Sequence, residues 1–150
     1  MGLKEKLQAD LTDAIKARNE TKAGTIRMVL AAITTEEVSG KQARVLTDAE
    51  IITVLSREAK KRREAIDAYS AANRADLVAK EKSESDVISA YLPEQLSDSE
   101  IEKLVQDAIS QTGANGPSGM GQVMKFLQPK IAGKADGGKV SAIVKKALGS

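Results

Sequence analysis

Histidine, cysteine and tryptophan are absent from these 150 residues, and the aromatic inventory stops at one Phe and two Tyr. Each absence excludes chemistry. Without His or Cys there is no Ser–His–Asp triad, no thiolate nucleophile and no imidazole or thiolate zinc site. General acid–base work would fall to Asp, Glu, Lys or Tyr, whose ordinary pKa values lie far from neutrality. So few aromatic rings do not suit the base-stacking platforms of single-strand binders. Zero cysteines leave no disulfide framework. No apolar run approaches the ~20 residues of a membrane span and no signal-peptide pattern opens the chain, so we expect a soluble cytoplasmic protein with no membrane partner. The charge is almost balanced, 23 Lys and Arg against 21 Asp and Glu.

What is present is one helical pattern after another. Leu3, Leu7, Leu11, Ala14 and Ile15 recur at helical spacing and predict a helix from Leu3 to Arg18. Ala23, Ile26, Val29, Leu30 and Ile33 make the stripe of a second, from Thr21 to Val38, which Ser39-Gly40 should end through a left-handed glycine. Thr47-Asp48-Ala49-Glu50 is a capping box. It opens a long third helix to Ala71, with Ile51, Leu55, Ala59, Ile66 and Tyr69 inward. Asn73 is the expected cap of a fourth, which Tyr91-Leu92-Pro93 stops because the residue before proline avoids the helical region. A second capping box, Ser97-Asp98-Ser99-Glu100, starts a fifth, closed by Thr112-Gly113. Two short basic helices follow, joined by the turn Lys130–Lys139. The expectation is an all-α protein: an N-terminal four-helix domain, 1–93, then a small three-helix domain, 94–150.

Charge singles out the end of the chain. From Ala114 onward there are six lysines, Lys125, Lys130, Lys134, Lys139, Lys145 and Lys146, against one acid, Asp136. Clustered lysines suit an anionic partner, and a solvated surface accounts for them equally. Lys139 and Lys146, seven positions apart, share nearly one face of the last helix. The nucleic-acid-binding candidates are therefore Lys125, Lys130, Lys134, Lys139 and Lys146, contacting phosphate rather than base edges. Asp136 reads as the N-cap of the last helix, and Phe126 as a core residue rather than a stacking platform.

Elsewhere, Arg57, Lys60, Lys61 and Glu64 fall on the outer face of the third helix, while Arg62 falls within its apolar stripe, one turn after Glu58. Arg62 should lay its stem on the core and pair with Glu58, Glu81 or Glu84; the alternative is a nucleic-acid contact by the whole basic run. Glu81 and Glu84 have no histidine to complete a metal motif, and pairing with the third helix explains them. Gly133-Lys134-Ala135-Asp136-Gly137-Gly138-Lys139 has neither Walker spacing nor a preceding strand. No catalytic residue, metal site or cofactor is expected.

Leu3–Leu7, Ile26–Ile33, Tyr91–Leu96, Met120–Met124 and Gly133–Gly137, followed by the helix from Val140 to Leu148, resemble the YqeY-like proteins in this order and spacing. That family in turn resembles the tail of the B subunit of the glutamine-dependent aspartyl/glutamyl-tRNA amidotransferase. The resemblance implies an all-helical fold with a C-terminal amidotransferase-tail-like domain. It implies a tRNA or other structured RNA as partner, or a place in an amidotransferase-like protein complex. It also carries the family label of a carbon–nitrogen ligase with glutamine as amido-N donor. Three roles follow: a noncatalytic RNA-binding module, a helical protein-interaction adaptor, and an accessory component of an amidotransferase.

Overall fold

The computed structural model describes residues 2–149, and among them there are seven α-helices, one 3-10 turn and no strand. The helices are α1 Leu3–Lys16, α2 Glu20–Glu37, α3 Asp48–Ala71, α4 Ala75–Ser89, α5 Asp98–Thr112, α6 Met120–Ile131 and α7 Gly137–Ala147. Tertiary contacts divide the chain into two compact units, one reaching Leu92 and one starting at Pro93.

In the first unit the predicted stripes meet. Leu7, Ile26, Val29, Ile33, Ile51, Val54, Leu55, Ala59 and Ile88 form the core, closed by Leu46 from the α2–α3 connection. Ile15, expected inward, is half exposed. It lies about 80° round α1 from the mean direction of Leu3, Leu7, Leu11 and Ala14, at the edge of the stripe. Helix α1 stops at Lys16, because Arg18 takes a left-handed conformation (φ 58°) and the Asn19 amide reaches back to Ala14 O. The same device ends α3. Asn73, expected to cap α4, instead sits at φ 58° while the Arg74 amide donates to Tyr69 O; Arg74 then occupies the N-cap of α4. Asparagine tolerates this conformation better than most residues, which suits it to closing a helix as well as to opening one.

The end of α2 also differs from expectation, since Gly40 has no positive φ. Glu37 organises the connection instead. Its carbonyl accepts from the Arg44 amide (2.9 Å), and its carboxylate accepts from Lys4 Nζ (2.7 Å) and the Leu46 amide (3.2 Å). These bonds, that from Lys4 foremost, hold the Glu37 carboxyl below its ordinary value of 4.5 against the opposing effect of desolvation. Two further links tie down α1. Asp48 accepts from the Leu3 amide (3.0 Å), and Tyr91 Oη donates to Asp10 (2.5 Å). Burial, then the Asp10 carboxylate, raises the Tyr91 hydroxyl well above its ordinary value.

In the second unit Ile101, Val105, Ala108, Val123, Leu127, Ile131, Val140, Val144 and Leu148 form the core. Gly113 closes α5 at φ 67°. Gly119, in the 3-10 turn Pro117–Gly119, has no room for a side chain, since a Cβ there would lie 2.7 Å from Ala114 Cβ. The α6–α7 turn is pinned to the segment before α5. Leu96 N donates to Lys134 O (2.9 Å), and Gln95 Nε2 donates to Gly133 O (2.8 Å).

Candidate nucleic-acid interface

The apolar stripes of α5, α6 and α7 turn toward one another, so the polar positions between them must face out. All five candidate lysines are exposed. Lys125 and Lys130 belong to α6, which runs through Pro129 to Ile131, so Lys130 stands in its last turn and not in the loop beyond. Lys134 lies in the turn; Lys139 and Lys146 lie along one line of α7. Asp136 caps that helix as expected, accepting from the Gly138 amide at 3.0 Å. A Cβ at Gly137 would meet nothing, which leaves the start of α7 open to close approach.

The lysines are not equivalent. Lys139 pairs with Asp98 at the start of α5, and Lys130 approaches Asp107 at 3.8 Å while lying 4.3 Å from the centre of the Phe126 ring. Asp98 and Asp107 are about 13 Å apart along α5 and point to opposite sides of it. Lys130 and Lys139 therefore address separate places, and the five lysines do not form one cluster. Lys125, Lys134 and Lys146 have no ion-pair partner among the described residues. Phe126 is half-buried against the core, as expected of it.

Lys146 shares an open groove of about 670 Å³ between α5 and α7 with Lys103, above a floor that includes Val105, Ile143 and Ala147. Lys103 was missed because it stands among the acids Glu100, Glu102 and Asp107 of α5, where a scan for lysine density does not stop. Counting those acids, the segment from Pro93 onward has seven lysines against six acids. The cationic tail of the sequence is thus largely balanced by the helix that packs on it.

In the first unit the basic run of α3 divides as its phase predicts. Arg57, Lys60, Lys61 and Glu64 are exposed and Arg62 is buried. Arg57 pairs with Glu36 (3.2 Å) and Lys61 with Glu58 (3.1 Å). Arg62 Nη1 donates to Glu58 Oε2 (2.7 Å) and to Glu58 O (3.1 Å), so its partner is the local one. No ion pair joins Glu81 or Glu84 to α3 among the described residues, contrary to expectation. Those residues also include no grouping of three or more acidic side chains able to hold a metal ion.

An all-helical protein with a small, lysine-studded three-helix unit is the class that fold and surface define. Its sequence matches the model of the YqeY-like proteins over residues 4–148, and the chain belongs to that family. Among its relatives is the "Altered inheritance of mitochondria protein 41, mitochondrial" of Pyrenophora tritici-repentis, 30% identical over 97% of this chain and 80% of the relative. An uncharacterised protein of Schizosaccharomyces pombe is 34% identical over 61% of this chain and 72% of that protein. The Saccharomyces cerevisiae protein of the first name is 34% identical over 64% of this chain, which spans 51% of that relative. Two of these names assign their proteins to mitochondria, which departs from the cytoplasmic expectation. No helix among the described residues is long and apolar enough to cross a membrane.

Proposed function

We propose that the chain is a noncatalytic RNA-binding module that grips the phosphate backbone of a structured RNA of the tRNA type. We treat α1–α4 and α5–α7 as its two domains, 1–93 and 94–150, with the RNA on the second. The observation that carries this is the set of exposed lysines left without a carboxylate, Lys125, Lys134 and Lys146, joined by Lys103 across the α5–α7 groove. Lys130 and Lys139 enter the contact by exchanging Asp107 and Asp98 for phosphate. Ammonium groups on exposed stems select charge rather than base identity, so binding is largely sequence-independent and weakens with salt.

The test is tRNA binding by the intact chain across a salt series, beside a variant with Lys125, Lys130, Lys134, Lys139 and Lys146 all changed to Gln. Loss of affinity and a flatter salt dependence in a folded variant support the assignment, at about one unit of slope for each lost contact of Lys125, Lys134 and Lys146 and less for Lys130 and Lys139, which exchange a carboxylate for phosphate. Unchanged affinity and slope would make the lysines a solvated surface. An adaptor role has its own support in the apolar floor of the α5–α7 groove, Val105, Ile143 and Ala147. Under that role the chain recovers a protein from cells and no RNA. Recovery with an amidotransferase would favour the accessory role. Cell fractionation decides between the cytoplasm and the compartment named for the relatives.

A further inference from the structure

Arg62 is 7% exposed, and its Nε has no hydrogen-bond partner. Its guanidinium is occupied on one side only. Nη1 donates twice to Glu58, whereas Nη2 has as acceptor the thioether of Met28 at 3.5 Å, a weak one. In a planar guanidinium the N–H bonds of Nε and Nη2 point the same way and form the fork that holds a carboxylate by two parallel bonds. That fork is buried and offered to a sulfur. Glu58 does not satisfy it, because its other carboxylate oxygen is engaged by Lys61 at 3.1 Å. Two cations thus share one carboxylate, and a buried group with an unmet donor calls for a partner.

Met28 also lines an open groove of about 330 Å³ between α2 and α4, together with Thr21, Gly24, Lys80, Glu20 and Glu84. The methionine is 41% exposed and its stem is flexible, so it can leave the fork at little cost. A Cβ at Gly24 would meet nothing, so that wall is open. Arg62 does not line the groove; Met28 stands between it and the fork, and the groove's own walls carry acids. Glu20 and Glu84 would repel a simple anion, with Lys80 as the one opposing ammonium group among its lining residues. The ligand that suits both ends carries both charges. We propose that the α2–α4 groove binds a small zwitterion, its carboxylate on the Nε–Nη2 edge of Arg62 in place of Met28 and its cationic group toward Glu20 and Glu84.

The experiment is an NMR titration of the intact chain, observing the Arg62 Nε–H and the Met28 methyl. Glycine, β-alanine and 4-aminobutyrate are compared with acetate, propionate and butyrate, which match them in length and lack the ammonium. The expected result is that both signals move together and saturate, with at least one amino acid binding about tenfold tighter than its unaminated counterpart. Changing Glu20→Gln with Glu84→Gln should abolish that preference. Met28→Ala should retain binding, which separates displacement of the thioether from dependence on it; both variants alter the groove and leave the Arg62–Glu58 pair intact. No saturable movement with any of the six compounds overturns the site. A carboxylate binding as tightly as its aminated counterpart overturns the zwitterion.

Discussion

Arg62 and Lys60 stand two positions apart on α3, carry the same charge and have opposite surroundings. Arg62 is buried on Glu58; Lys60 is exposed. Arg62→Ala should cost about 1–3 kcal/mol, because it removes a buried stem and leaves Glu58 Oε2 without its donor while Lys61 still holds Oε1, whereas Lys60→Ala should stay within about 0.5 kcal/mol. Denaturant melts of the two variants check the contrast, and equal midpoints would contradict it. Glu37 gives a pH signature. Its carboxyl is held below 4.5, so the stability it contributes is present at neutral pH and is lost as pH falls through the lowered folded value. The Glu37→Gln variant should be the weaker protein near pH 7 and should lose less on acidification. The two curves then converge below the carboxylate range. Arg62 was legible in the sequence, since its partner lies one helical turn away. Glu37, Asp48 and Asp10 were not, because their partners lie 33, 45 and 81 positions away, where no local pattern reaches.

Among the elements, the capping boxes were the clearest signals, and both form with side chains bonded in each direction. Ser97→Ala should lower the stability of the second unit by about 0.5–2 kcal/mol, and Thr47→Ala that of the first by a similar amount. Amide exchange resolved by residue would assign each loss to its own unit; a loss spread evenly over the chain would be evidence against the division. Helix C-termini were harder to read. Gly40 drew the expected stop because glycine favours the left-handed cap, yet Arg18 and Asn73 hold that conformation and Gly40 does not. Tertiary bonds to Glu37 set the chain direction after α2, so the local preference of glycine was not used.

At the scale of the molecule, the apolar stripes predicted the helices, whose contacts separate into two compact units at Leu92 and Pro93. Expressed apart, the segments 1–92 and 93–150 should each be helical by circular dichroism. The second should melt at the lower temperature, since a domain of roughly 60 residues buries a smaller share of its surface. A second segment that is unfolded alone would show that it draws its stability from the first. The candidate lysines were legible as exposed positions. Their partners were not, because Asp98 and Asp107 belong to a different helix and meet them only through packing.

Those two aspartates have a further consequence. Lys130 and Lys139 arrive at any phosphate already carrying their own counterions, covalently tethered and unable to diffuse away. A lysine that trades a tethered carboxylate for a phosphate adds no net charge to the complex, so it displaces few free ions. The thermodynamic charge of this surface is therefore smaller than its count of lysines. Its discrimination should lie less in total attraction than in spacing: a polyanion gains only if its phosphates fall where the unneutralised ammonium groups already stand.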